Sequence, residues 1–490
     1  MFFIFLTSGL FLGWSLGAND AANVFGTAVG TKMIRFRTAA LLCSIFVILG
    51  ATFGGQGTTD MLNGLGSVDT IAGAFTVALV AAFTVFIMTK AGLPVSTSQS
   101  IVGAIIGWNL FIGYQTETAS LLKILSSWII CPLLAAFFAI LLYIPIKALL
   151  LRSSLHLLTR DVIVRWGLII SGSFGAYSLG ANNIANVMGV FVNSSKLTEF
   201  DFFGIWIVSP TLQLFALGGL AIALGVFTYS EKVIKTVGQG IFKLSPEIAL
   251  VVVLSQSLVL FLFSSETLEY WLLSHHLPAL PLVPVSSTQA VVGAIAGIAI
   301  FKGSRGIKFN KLGMISAGWV VTPVLAIVLT FFSLFVMKNV FDQEVNQSYT
   351  YRINAEVLSQ LDRKDIGTAF LIPLINAEYS DIKTLNGILR EEYHRAEIKE
   401  ITDMSRIRNI FIDPEKFGYL QKQGILSEEQ LYTLQKIASK SFEYEWQFKA
   451  ELENLSPEWK KKSSDKINKK YNKDLEGKMN YLILTFKVNE

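Results

Sequence analysis

The 490-residue sequence has little charge: Asp, Glu, Lys and Arg make up only 16% of it, against 52% hydrophobic residues. A water-soluble surface needs more charge than this, which argues against an ordinary soluble enzyme and points to the membrane. Cysteine is nearly absent. Cys43 and Cys131 both fall inside apolar runs, so neither a disulfide framework nor a zinc site is expected, and both read as small buried hydrophobes. No basic stripe interleaves with aromatics, so the net charge of +5 gives nucleic acid no footing. The first apolar run lacks a positive leader and carries Asn19, Asp20 and Asn23 in its middle, so it reads as a span rather than a cleaved signal peptide. The four histidines, His156, His275, His276 and His394, lie in loops or in the tail, where solvated or structural roles are expected; His275-His276 is the one candidate for tuning a pH response.

What the chain does have is apolar runs. A bilayer core about 30 Å thick calls for about 20 apolar residues per helix. Runs of that size are predicted near residues 3–30, 38–55, 71–89, 93–112, 121–146, 166–191, 202–227, 247–264, 283–301 and 312–337. Cytoplasmic loops are enriched in Lys and Arg. Here those residues follow the first span (Lys32, Arg35, Arg37), join the fifth to the sixth (Lys147, Arg152, Arg160, Arg165), follow the seventh (Lys232, Lys235, Lys243) and follow the ninth (Lys302, Arg305, Lys308, Lys311). Both termini are then expected on the extracytoplasmic side. With five spans per half, the second half enters the membrane from the opposite side, so any similarity between halves is an inverted repeat. After Lys338 the composition changes to dense charge of both signs, with a Lys-rich stretch at Lys460–Lys473. The expected division is a first transmembrane repeat over 1–150, a second over 151–340, and a mainly helical soluble appendage over 341–490.

Two motifs occur twice. Gly17-Ala18-Asn19-Asp20-Ala21-Ala22-Asn23 returns as Gly180-Ala181-Asn182-Asn183-Ile184-Ala185-Asn186. Pro94-Val95-Ser96-Thr97-Ser98-Gln99 returns as Pro284-Val285-Ser286-Ser287-Thr288-Gln289, and each copy is followed by Val-Gly-Ala-Ile. Gly and Asn in the middle of a span are expected to loosen the helix, which is tolerated at membrane depth only beside a protein cavity. Pro in the first turn of a helix, followed by hydroxyls and free N–H groups, makes an anion site without basic side chains. Lys and Arg are indeed lacking inside the predicted spans; Lys90 and Lys123 stand only at their edges. Asp20 is the one carboxylate placed deep in a span, where such residues mark ion pathways. With the carboxamides of Asn19 and Asn23 it supplies the hard oxygens that sodium prefers, and a proton could use the same carboxylate. A single copy of either motif would read as small-residue helix packing; two matched pairs point to a binding site near the membrane midplane.

These cassettes resemble the inorganic phosphate transporter family, the PiT type of sodium- or proton-coupled symporters, over residues 1–338. The resemblance implies an all-α polytopic fold of two inverted repeats, with broken helices and re-entrant hairpins at the second motif of each half, roughly 10–12 transmembrane segments in all. It assigns Ser96, Thr97, Ser286 and Ser287 to phosphate, with Ser98 and Thr288 close by. Asp20, Asn23 and Asn186 go to the coupling cation, with Asn183 at the position where many members carry a second aspartate; Asn19, Asn182, Gln99 and Gln289 support the site. The implied function is cation-coupled phosphate symport by alternating access, with Na⁺ as the coupling ion or H⁺ as the alternative, no cofactor and no enzymatic activity. The expected partners are inorganic phosphate, membrane lipid and a second copy of the chain in a homodimer. Competing readings are a sulfate or other oxyanion permease, and a transporter-like sensor that signals through the C-terminal domain.

Overall fold

Hydrocarbon offers no partners for backbone N–H and C=O, so apolar runs at membrane depth fold as helices that satisfy these groups internally. The computed structural model describes residues 2–90, 95–152, 156–195, 197, 200–202, 206–231, 245–303, 309–423, 425–463 and 468–488. The chain divides into one unit of residues 1–111, 116–269 and 278–347, and a second of residues 112–115, 270–277 and 348–490. Pro94 and the basic loop residues Lys232, Lys235, Lys243, Arg305 and Lys308 lie outside the described residues.

In chain order the apolar part gives α1 (Phe2–Gly30), α2 (Phe36–Gly54), α3 (Gln56–Leu65), α4 (Ile71–Lys90), α5 (Thr97–Ile112), α6 (Thr118–Arg152) and α7 (Leu157–Val192). It continues with a short ladder, β1 (Phe200–Phe202) with β2 (Trp206–Val208), then α8 (Pro210–Thr228), α9 (Pro246–Leu262), α10 (Glu266–Ser274), α11 (Ser287–Phe301) and α12 (Phe309–Asn339). Among the described residues, seven helices are long and apolar enough to cross a membrane, and α9 with α10 makes an eighth. The fourth and ninth predicted spans differ from the rest. Their helices, α5 and α11, have only 16 and 15 residues and begin at Thr97 and Ser287. Each is too short to span the hydrocarbon core by itself, and residues 277–286 ahead of α11 are not helical. The seventh predicted span also starts too early: residues 206–208 pair as β2, and Ser209 caps α8 with Pro210 in its first turn.

The first motif does not break its helix. α1 and α7 run continuously through residues 17–23 and 180–186. Gly17 and Gly180 serve close packing instead: a Cβ on Gly17 would stand 1.9 Å from the carbonyl oxygen of Ile222 on α8, and one on Gly180 would stand 2.2 Å from that of Val47 on α2. The match extends further. Gly50 on α2 lies against the Tyr177 carbonyl of α7, and Gly225 on α8 against the Trp14 carbonyl of α1; Gly103 on α5 lies against Pro323 of α12, and Gly293 on α11 against Pro132 of α6. Each contact of one half thus has its counterpart in the other. α6 and α12 present apolar residues such as Phe137 and Val320 outward, as lipid-facing helices do, whereas Leu16, Val24, Leu179, Val187 and Val253 on α1, α7 and α9 are fully buried.

Among its described residues the second unit contains seven short helices between Ala355 and Phe486 and two small antiparallel ladders. Its apolar residues gather in two clusters, one around Ile353, Leu361, Leu385 and Tyr444, the other around Phe448, Trp459, Leu482 and Phe486. Three of the four histidines sit at helix ends: His156 and His394 at helix starts, and His275 at the end of α10, where its ring meets Trp271. Cys43 and Cys131 are free and buried, as their apolar surroundings suggest.

Candidate functional site

The second motif builds two helix starts of the same design. Ser286 stands just ahead of α11 and its hydroxyl accepts the Gln289 N–H at 3.1 Å; Ser96 accepts the Gln99 N–H at 3.3 Å at the start of α5. The cap falls on serine, so Pro284 sits in the extended approach rather than in the first turn that the sequence suggested. That approach is held from α7: the Val285 N–H donates to Asn182 Oδ1 at 2.9 Å, and Asn182 Nδ2 donates to the Val283 carbonyl at 3.1 Å. Asn19 Nδ2 does the corresponding work for the first half, donating to the Val95 carbonyl at 3.1 Å. Asn19 and Asn182 are therefore staples between a continuous helix and an extended hairpin tip.

The two helix starts meet. Ser98 of α5 donates to the Val285 carbonyl at 3.2 Å, and Thr288 of α11 donates to the Val95 carbonyl at 3.3 Å, so each tip reaches across to the other. Both α5 and α11 then direct their N-terminal, partially positive ends into one buried polar layer. Ser96, Thr97, Ser98, Ser286, Ser287 and Thr288 are all at least 98% buried there.

The carboxamide motifs face the tips from α1 and α7. Asn23 Nδ2 donates to Ser287 and to Thr288 at 3.0 Å each, and Asn186 Nδ2 donates to Ser98 at 2.8 Å. Asp20, 2% exposed, accepts from Asn19 Nδ2 at 3.1 Å, from Thr97 at 3.3 Å, and more loosely from Asn23 at 3.4 Å and Thr288 at 3.5 Å. In the second half Asn183 Oδ1 takes the corresponding place, accepting from Asn186 at 3.0 Å and Ser98 at 3.3 Å, while its own amide turns back to the Leu179 carbonyl at 3.2 Å. All the residues singled out from sequence thus fall in one layer shared by both halves.

Among the described residues, four buried acceptors in this region have no hydrogen-bond partner: Gln99 Oε1, Gln289 Oε1, Asn186 Oδ1 and Gln256 Oε1. Orphaned buried oxygens are costly unless something fills them. The amide oxygens and the Asp20 carboxylate are hard donors of the kind that alkali cations take, and the hydroxyls and helix starts are donors of the kind that an oxyanion takes. Gln256 on α9 was not anticipated; it is fully buried and its Nε2 donates to the Asn23 carbonyl at 2.6 Å. The available signal was the triplet Ser255-Gln256-Ser257, which interrupts an otherwise apolar run.

The sequence profile of the phosphate transporter family matches residues 16–268 and 279–473. The chain belongs to this family. Its matched residues run well past Lys338, so the C-terminal region is not foreign to the family, contrary to the narrower span read from the cassettes. Phosphate transport is the function that membership supports, and the family is one of multi-pass membrane transporters rather than enzymes. A Methanocaldococcus jannaschii protein provisionally named a phosphate permease is 27% identical over 326 residues, which covers 66% of this chain and 94% of that protein. The mouse sodium-dependent phosphate transporter 1 is 31% identical over 208 residues, which covers 39% of this chain and 28% of that one. A solved structure titled the sodium-dependent phosphate transporter aligns with a TM-score of 0.56 at 23% identity, over 69% of this chain and 98% of the other, and so shares the fold.

Proposed function

We propose that the protein is a sodium-coupled phosphate symporter in which phosphate binds between the starts of α5 and α11 and the coupling cation binds beside Asp20. One observation carries this reading: two helix starts and their hydroxyls converge on a layer that also holds one buried carboxylate and several orphaned amide oxygens. The sodium-dependent names of the mouse relative and of the structural neighbour support the choice of ion.

Coupling follows from which partner each hydroxyl serves. Thr97 and Thr288 both donate hydrogen bonds to Asp20. A cation on the carboxylate competes for those oxygen lone pairs and releases both hydroxyls to donate to phosphate. Each ligand then raises the affinity for the other, as linkage requires. A proton on Asp20 would release the same hydroxyls, which is how H⁺ coupling would work here. Alternating access consists of one half moving against the other about this layer, opening the contacts of one hairpin tip at a time. The termini are assigned to the extracytoplasmic side because the basic loops alternate along the chain.

The deciding experiment is phosphate uptake into proteoliposomes under separately imposed sodium and proton gradients. Sodium-driven accumulation, lost in Asp20→Asn, supports the proposal. Equal accumulation without sodium overturns the choice of ion, and uptake by Asp20→Asn with unchanged sodium dependence overturns the role of the carboxylate.

A further inference from the structure

A second polar cavity, of about 160 Å³, lies far from the cassettes, where the ends of four helices meet. It is lined by Tyr143 and Lys147 of α6, Arg160 of α7, Ser245 and Glu247 at the start of α9, and Lys302 at the end of α11. Its volume far exceeds the roughly 10–15 Å³ that one water requires. Three cations face one carboxylate. Arg160 and Glu247 satisfy each other across 2.5 Å, whereas Lys147 and Lys302 make no ion pair among the described residues, so the cavity keeps a local excess of positive charge. Lys147 lies 5.5 Å from the centre of the Tyr143 ring, and that ring packs edge-on against Phe301. Tyr143 is only 8% exposed.

We propose that this cavity is a binding site for a phosphate group, carried by an anionic membrane lipid or free in solution. The two lysines supply positive potential and the Tyr143 hydroxyl a neutral donor, whereas the Ser245 hydroxyl and the first N–H groups of α9 are already taken by Glu247 and the helix cap. The flanks of the cavity fit a lipid. Leu141 and Ile144 on α6 and Ile300 and Phe301 on α11 are 50–62% exposed large hydrophobics next to the lining residues, placed where acyl chains can lie against them. The site is separate from the transport layer, and none of its lining residues belongs to the cassettes.

The test uses the full-length protein in detergent and the double variant Lys147→Gln/Lys302→Gln, both of whose side chains are exposed. Two probes are measured: retention of dioleoyl phosphatidic acid by native mass spectrometry, with phosphatidylcholine as the neutral control, and equilibrium binding of radiolabelled inorganic phosphate. A loss of phosphatidic acid retention on the order of tenfold, with phosphatidylcholine unaffected, assigns the site to a lipid phosphate. Loss of one class of inorganic phosphate sites, with phosphatidic acid unchanged, assigns it to the free anion. Lys147→Arg/Lys302→Arg keeps whichever probe binds. If neither probe responds to the Gln pair, the proposal falls.

Discussion

The two halves meet at the site with almost the same side chains and one difference in charge. α1 brings Asp20, whose carboxylate gathers two hydroxyls and two amides; α7 brings Asn183, whose carbonyl takes the same kind of donors while its amide is tied to its own helix. The helix starts, by contrast, repeat their serine caps and their crossed bonds, Ser98 to the Val285 carbonyl and Thr288 to the Val95 carbonyl. The layer of hydroxyls is thus nearly symmetric, and the charge that α1 and α7 bring to it is not. At the position that matches Asp20 the second half offers an amide in place of a carboxylate.

The comparison is broken most decisively at Asp20. Asp20→Asn should lower sodium-driven phosphate uptake by about 100-fold, the scale of roughly 3 kcal/mol expected for hydrogen bonds to a buried charged group; near-normal uptake in proteoliposomes would remove the asymmetry from function. Next come the packing glycines. Gly50→Ala and Gly225→Ala would each drive a methyl to about 2 Å from a facing carbonyl oxygen. Each should cost about 1–3 kcal/mol, read as a lowered unfolding temperature in detergent. Similar losses for the two would express the repeat; a loss in one alone would break it.

A second carboxylate sharpens the contrast further. Asn183→Asp places an acid at a position 1% exposed, where an ionised group costs at least about 2.5–3.5 kcal/mol without a partner. The variant should unfold earlier in choline than in sodium, by a wider margin than the parent; an equal margin would mean that no cation reaches the second half. The smallest effects are expected at the tips. Ser98→Ala and Thr288→Ala each remove hydroxyl bonds worth about 1 kcal/mol, so each should raise the KM for phosphate by about fivefold. A large disparity between them would show that the anion cage is itself lopsided.

Much of this site was legible in the sequence, because residues that must find polar partners inside a membrane cannot be scattered at random. Asp20, Asn23, Asn186, Ser98 and Thr288 stand out against their apolar neighbours, and the duplication ties them together. Helix continuity was less legible. Gly17 and Gly180 read as loosening elements, yet their lack of a side chain is used for approach to a neighbouring backbone, a fact held in α8 and α2 rather than in the motif. Apolarity also marks that a segment is buried without marking where its helix begins. Residues 202–209 and 283–286 are nearly as apolar as the helices they precede, and only the caps Ser209 and Ser286 fix the starts. Gln256 carried a visible signal, but a single amide in one half has no duplicate to give it weight.

The crossed contacts of the tips, Ser98 to the Val285 carbonyl and Thr288 to the Val95 carbonyl, bear on leakage as well as on binding. With both in place, neither tip can retract without breaking a bond to its twin. A bilayer carrying the Ser98→Ala/Thr288→Ala protein, in which both bonds are gone, should therefore leak ions faster than one carrying the parent.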